Sequence, residues 1–221
     1  MSNTQWTAVD DYFNSLFIGS DPTMDAVLAY SDAQGLPQIN VSPAQGNFLM
    51  LLAKVQKASR ILEIGTLGAY STIWLAKALP EDGQIITLEA DPHHAKIAQE
   101  NLESAGITDK VTLHLGPATE SLQKMIDAKT PPFDFIFIDA DKPNNPTYLK
   151  LCKQLSRSGT LIIADNVARR GQILNEHSAD ANIQGLRTFS QNVAEDNALE
   201  AAAMQTVGSK GYDGFAMIYV K

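Results

Sequence analysis

The sequence predicts an open, mostly parallel α/β sheet preceded by a helical N-terminal extension. Three observations predict it. From Arg60 onward short β-rich runs alternate with helical stretches. Those runs are apolar at nearly every position, as strands covered by helices on both faces are. The first forty residues instead carry apolar residues at helical spacing, with no strand pattern. At 221 residues and 44% hydrophobic content the chain suits one domain with a sizeable core. The expected layout is a single domain over 1–221, with the extension over 1–58 and the α/β core over 59–221.

Taken in order, Trp6, Val9, Phe13, Leu16 and Phe17 mark the first helix. Asp21-Pro22 reads as an N-cap followed by a first-turn proline, and Gly35-Leu36-Pro37 ends the helix holding Met24, Val27 and Leu28. Ser42-Pro43-Ala44-Gln45 reads as a capping box, and the helix behind it puts Phe48, Leu51, Leu52 and Val55 on one face. Strands are expected over 61–64, 85–89, 111–115, 133–139 and 160–165. Ser71 is expected to cap a helix over 72–79, Asp91-Pro92 to open one that Gly106 closes, and Pro146 to open another running to about Ser156. Residues 167–180 are polar and without period, the pattern of a mobile loop. A helix around 183–193 and runs over 201–207 and 215–220 complete the chain. The last two runs are joined through residues 208–214 as a hairpin-like return, an antiparallel pair at one sheet edge.

Composition excludes several classes of function. Seventeen Lys and Arg against 25 Asp and Glu leave a net charge of −8, which argues against nucleic acid as a general partner. The single cysteine, Cys152, rules out an intramolecular disulfide framework and a cysteine-cluster zinc site. The first thirteen residues hold Asp10 and Asp11 but no Lys or Arg, so they do not read as a secretory signal. No stretch approaches the ~20 apolar residues of a membrane span. A cytoplasmic protein is expected.

In open α/β sheets ligands bind beyond the carboxyl ends of the strands, so those ends carry the functional reading. The first strand runs into Glu63-Ile64-Gly65-Thr66-Leu67-Gly68-Ala69-Tyr70-Ser71. Its glycines let backbone approach a ligand, but the spacing Gly65-x-x-Gly68 lacks the close glycine pair of a pyrophosphate cradle. Glu63 would repel a phosphate and welcome an ammonium or sulfonium. Glu89, ending the second strand, is placed to accept both ribose hydroxyls. A nucleoside bearing a cation and no phosphate fits, and S-adenosylmethionine is such a molecule. The plainer reading is that Glu63 caps a turn and Glu89 is an exposed strand end.

The segment from Glu63 to Ser71, with Val41-Ser42-Pro43 before it and Asp139-Ala140-Asp141-Lys142 after it, resembles the cation-dependent O-methyltransferases related to caffeoyl-CoA and catechol O-methyltransferases. The resemblance runs from about Asp21 to the end. It implies a Rossmann-like methyltransferase sheet of seven strands with the last antiparallel. It further implies that Val41, Glu63, Gly65, Thr66, Ser71, Glu89 and Ala118 line the S-adenosylmethionine site, with Asp139 counted among the cofactor residues as well as the metal ligands. Ser71 and the loop amides would hold the methionine carboxylate, and Ala118 would lie by the adenine. A homodimer is the usual state of similar enzymes, and the N-terminal aromatic residues would suit such a face.

The fourth strand ends at Asp139, and the fifth ends at Asp165-Asn166. Neighbouring parallel strands would bring these three oxygen donors together. Oxygen-only ligation suits Mg²⁺, or alternatively Ca²⁺ or Mn²⁺. The competing reading is that such residues merely cap turns. Methyl transfer to a phenol needs an ionised nucleophile. Lys142, three positions after Asp139, could accept the proton, and by resemblance it matches the family's general base; the alternative is a solvated lysine paired with Asp141. Where many relatives have Asp-Lys-x-Asn-Tyr, this chain has Lys142-Pro143-Asn144-Asn145-Pro146, so the acceptor wall is expected to be wider or more polar at Asn145.

The histidines are set aside: His93 and His94 fall at a helix start, His114 alternates in a strand, and His177 lies in the polar loop with Arg169 and Arg170. Cys152 reads as a small buried hydrophobe. The expected activity is metal-assisted methylation of a small vicinal diol, a catechol or hydroxycinnamoyl compound. Methylation of a hydroxylated transfer-RNA base is the alternative that the Arg169-Arg170 pair keeps open. An NAD-dependent oxidoreductase is disfavoured by the glycine spacing, and a nucleoside-binding protein without catalysis by Lys142.

Overall fold

The computed structural model describes residues 3–221; the first two residues of the expected extension lie outside the described residues. Seven strands form one sheet in the order β3-β2-β1-β4-β5-β7-β6: β1 Arg60–Ile64, β2 Gln84–Glu89, β3 Val111–Leu115, β4 Phe133–Ile138, β5 Ser156–Asp165, β6 Leu199–Gly208 and β7 Gly211–Val220. Strand β1 pairs parallel with β2, β2 with β3, and β4 with β5, whereas β7 runs antiparallel to β5. The expected seven-stranded, mostly parallel sheet is therefore present, with its last strand reversed. The chain divides into two compact units, one reaching to Ala118 and including Gly208–Gly211, the other formed by Thr119–Val207 and Tyr212–Lys221.

In the first unit, α1 (Asn3–Phe17), α2 (Pro22–Ala33) and α3 (Pro43–Val55) form the N-terminal extension. The Asp21 carboxylate caps α2 by accepting from the Met24 amide, and the Ser42 hydroxyl caps α3 by accepting from the Gln45 amide, as their sequence signatures predict. The expected apolar face of α3 needs correction. Its buried residues are Gly46, Leu49 and Ala53, while Phe48, Leu51 and Val55 are exposed. A Cβ at Gly46 would overlap the indole of Trp74, so the missing side chain there is what lets α3 seat closely on α4 (Tyr70–Ala76). Helix α5 (Pro92–Ser104) starts at Asp91, whose carboxylate accepts from the amides of His93 and His94.

Two further expectations in this unit are corrected. Ser71 does not cap α4; Ala69 holds that position in a left-handed conformation, and Ser71 lies inside the first turn. Nor are all the strands buried on both faces. Strands β1 and β2 are mostly buried, but β3 lies at the sheet edge and exposes Thr112, His114 and Leu115.

The second unit carries most of α6 (Ala118–Asp127), with α7 (Asn145–Gln154) and α8 (Ala181–Glu195). Strand β4 is buried throughout, including Phe133, Phe135 and Phe137. Strand β5 begins at Ser156, four residues before the expected start, and α7 begins one residue before Pro146. The expected mobile loop over 167–180 contains a kinked 3₁₀ segment, Arg169–Leu174. Its start is anchored where the Asp213 carboxylate accepts from the amides of Ala168 and Arg169. The final hairpin is tighter than expected, because β6 and β7 extend to Gly208 and Gly211 and leave Ser209-Lys210 as the connection.

Candidate functional site

In the first unit the site residues gather at the carboxyl ends of β1 and β2. Glu63 and Thr87 are direct partners in the β1–β2 register. The Glu63 carboxylate is wholly buried and accepts hydroxyl hydrogen bonds from Ser71 (2.6 Å), Thr72 (2.5 Å) and Thr87 (2.7 Å). A buried carboxylate is tolerated when donors surround it in this way. The loop after β1 then places Gly65, Leu67 and Ala69 all at positive φ, a left-handed alternation that glycine alone adopts without strain. Gly68 is required for a different reason: a Cβ there would overlap the Ser31 side chain of α2. The Gly68 carbonyl accepts from the side-chain Nδ2 of Asn101 in α5 at 2.9 Å, which pins the loop between two helices.

Glu89 closes this arrangement. Its Oε2 accepts from the backbone amides of Thr66 (3.2 Å) and Leu67 (2.8 Å), and its Oε1 accepts from the Asp91 amide at 3.0 Å. A carboxylate offers about four lone-pair sites, so Oε1 is the oxygen with accepting capacity to spare. Thr66 is buried with its hydroxyl 2.6 Å from that of Thr87. Val41 is buried just ahead of α3, and Ala118 is half-buried at the start of α6.

In the second unit, Ile138 is the register partner of Ala164, so the next residues, Asp139 and Asp165, leave neighbouring strands side by side. Asn166 follows with φ +56, and its amide donates to Asp165 Oδ1 at 2.8 Å. Lys142 lies in the 3₁₀ turn Lys142–Asn144, is 5% exposed, and donates to Asp139 Oδ1 at 3.0 Å. The partner is Asp139, not Asp141; Asp141 is engaged by the Tyr148 hydroxyl (2.5 Å) and by Nδ2 of the Asn144 side chain (2.6 Å). Burial, reinforced by that bond, holds the Tyr148 phenol far above its usual range, so it stays a donor. Among the described residues no three His, Cys, Asp or Glu converge as a metal cluster. Two carboxylates and one carboxamide at adjacent strand ends are hard oxygen donors of the kind Mg²⁺ takes.

Sequence reasoning missed the hydroxyls of Thr72 and Thr87 around Glu63. A signal for Thr87 existed, since it lies two residues before Glu89 and shares its strand face. Nothing local marked Gly185 of α8, which packs against the turn carrying Lys142. Asn145 is wholly buried at the start of α7, which corrects the expectation that it lines an open wall. His93 is exposed, His94 is half-buried with its Nδ1 3.7 Å from Glu89 Oε1, and Cys152 is buried as expected.

The profile of the O-methyltransferase family matches residues 20–217 of this chain. The chain belongs to the O-methyltransferase family. Among its relatives, the catechol O-methyltransferase of Niastella koreensis is 46% identical, with 100% of each chain covered. The catechol O-methyltransferase of Mycobacterium tuberculosis is 47% identical over 96% of this chain and 95% of its own. The solved O-methyltransferase of Bacillus cereus, in complex with SAH, is 50% identical and superposes with a TM-score of 0.98 over 100% of both chains. Family membership thus agrees with the resemblance carried by the strand-end motifs.

Proposed function

We propose that this O-methyltransferase moves the methyl group of S-adenosylmethionine to one hydroxyl of a small vicinal diol, a catechol or hydroxycinnamoyl compound, assisted by a divalent cation, Mg²⁺ for preference. The observation that carries the reading is the buried Lys142–Asp139 bond beside the paired ends of β4 and β5. It sets a proton acceptor next to a set of hard oxygen donors.

For the cofactor we assign Glu89 Oε1 to the ribose, since that oxygen retains accepting capacity while three backbone amides hold the carboxylate still. The amides and small residues of the loop from Gly65 to Ser71 would face the methionine part, with Val41, Thr66, Glu63 and Ala118 completing the pocket. Glu63 would act at one remove, by fixing Ser71 through its hydroxyl. Asp139, Asp165 and Asn166 would hold the cation, which when bound supplies the Lewis acidity that favours ionisation of a phenol. In the transfer the hydroxyl proton passes to the amine form of Lys142. S-adenosylmethionine, when bound, would supply the methyl group to the acceptor oxygen, its sulfur leaving as the thioether with the electron pair of the carbon–sulfur bond. The whole chain would act as one methyltransferase domain, a reading that the family match over residues 20–217 supports.

A diol is the acceptor class because adjacent hydroxyls offer two oxygens to one cation, fixing orientation and ionisation in the same contact. We also propose a homodimer, supported by the exposed Val9, Tyr12, Phe13, Leu16 and Phe17 of α1.

The test compares methyl transfer to catechol, guaiacol and phenol, with and without chelator, in the unsubstituted protein and Lys142→Ala. Catechol should react about a hundredfold faster than phenol, since loss of the second anchor costs on the order of 3 kcal/mol in the transition state. Chelator should abolish turnover and added Mg²⁺ restore it, while Lys142→Ala should lower kcat more than it weakens acceptor binding. Equal rates on catechol and phenol, or full turnover in chelator, would sink the proposal.

A further inference from the structure

We infer that Asn145 is a positioning residue for Lys142: its carboxamide oxygen receives the Lys142 side-chain N–H when a divalent cation takes over Asp139, an inference that rests on the cation reading above. Asn145 has no solvent exposure, and neither its Oδ1 nor its Nδ2 has a hydrogen-bond partner. Buried polar side chains are nearly always paired, so such a group points to a partner that arrives in another state of the protein.

The turn geometry names that partner. The Asn145 amide donates to the Lys142 carbonyl and closes the 3₁₀ turn between them. Side chains three apart in a 3₁₀ turn eclipse one another, so the lysine and the carboxamide share one face, and both are buried. As the structure stands, Lys142 donates to Asp139 Oδ1. A cation on Asp139 would compete for that carboxylate and displace the lysine nitrogen from it. Buried and displaced, that nitrogen, in the amine form the transfer uses, needs another acceptor for its N–H. Asp141 is already engaged by Tyr148 and Asn144, whereas Asn145 Oδ1 carries no competing donor.

The backbone cannot answer this demand by moving. A Cβ on Gly185 would come within 2.7 Å of Pro143 Cα and still closer to the Lys142 carbonyl oxygen, so α8 lies directly against the turn. The response is therefore confined to the lysine side chain, which swings from Asp139 to Asn145 on a fixed base. Asn145→Leu keeps the side-chain size and removes both polar atoms. Because it deletes two unpartnered buried groups, the cation-free variant should unfold at the same temperature as the unsubstituted protein or higher.

The deciding measurement is a double-substitution cycle on Mn²⁺ affinity, read by calorimetry on the full chain with the metal alone. Asn145→Leu should weaken Mn²⁺ binding roughly tenfold, the usual scale for an outer partner of a metal ligand. In a Lys142→Met background the same substitution should leave affinity unchanged, because no side-chain N–H remains to be received. Equal weakening in both backgrounds, or none in either, would overturn the role given to Asn145 while leaving the cation site standing. Absence of Mn²⁺ binding by the unsubstituted protein would overturn the cation reading and this role with it.

Discussion

Glu89 is held by three backbone amides, two from the loop after β1 and one from the start of α5, so its carboxylate is immobilised before any ligand arrives. Glu89→Ala should weaken S-adenosylhomocysteine binding by roughly 1.5–3 kcal/mol, the scale of a charge-assisted hydrogen bond, and should strand those amides as well. Calorimetry checks this, and an unchanged affinity would remove Glu89 from the pocket. Burial pushes the Cys152 thiol far above its usual range, so it should resist thiol reagents at neutral pH until the protein unfolds. A reactive thiol in the folded protein would contradict that burial. At this scale residue type and strand-end position made Glu63, Glu89, Asp139, Lys142, Asp165 and Asn166 legible as candidates. Their partners were not legible, because a carboxylate announces its charge in the sequence but not which donors will surround it. Glu63 turned out to be enclosed by three hydroxyls, Thr87 through strand register and Ser71 and Thr72 through the turn into α4, while Lys142 bonds Asp139 across its own local turn.

Among the elements, α2 carries the clearest signal and a direct test. Asp21 caps it and also pairs with Lys77, and the Lys77 partner, with the Met24 amide, holds the Asp21 carboxyl below its ordinary 3.8. Because its folded pKa is depressed, the unfolded chain binds the proton more readily. The stabilisation is therefore present above about pH 4 and is lost as pH falls through the folded value. Asp21→Ala should cost about 1 kcal/mol at neutral pH, the usual worth of an N-cap, and the gap to the unsubstituted protein should close toward pH 2. Chemical denaturation at the two pH values measures it, and a gap independent of pH would show that the carboxylate charge contributes nothing. Caps such as Asp21, Ser42 and Asp91 are local and so could be read from sequence. The face of α3 could not. Periodicity finds an apolar stripe but does not say what the stripe will meet, and in α3 the buried face is the one on which Gly46 admits Trp74, with Leu49 and Ala53 beside it. The displaced ones, Phe48, Leu51 and Val55, are left at the surface.

At the scale of the molecule, those exposed residues and the aromatic face of α1, where Phe13 stacks on Phe17, form apolar surface that a second copy would cover. Light scattering at micromolar concentration should give twice the chain mass, and Phe17→Glu should shift the protein toward monomer; a monomeric unsubstituted protein would refute the dimer. The alternation of buried strands with capped helices, the reversal of the last strand and the strand-end chemistry were all determined by the sequence. Each depends on local periodicity, on turn residues or on side-chain type, and strands buried on two faces admit few arrangements. Tertiary structure alone decided the strand register that pairs Ile138 with Ala164, the hydroxyl cage of Glu63, and the closeness of Gly185 to the Lys142 turn. The physical reason is that these contacts join residues on different elements, and only packing of the whole core selects which of many compatible partners each one meets.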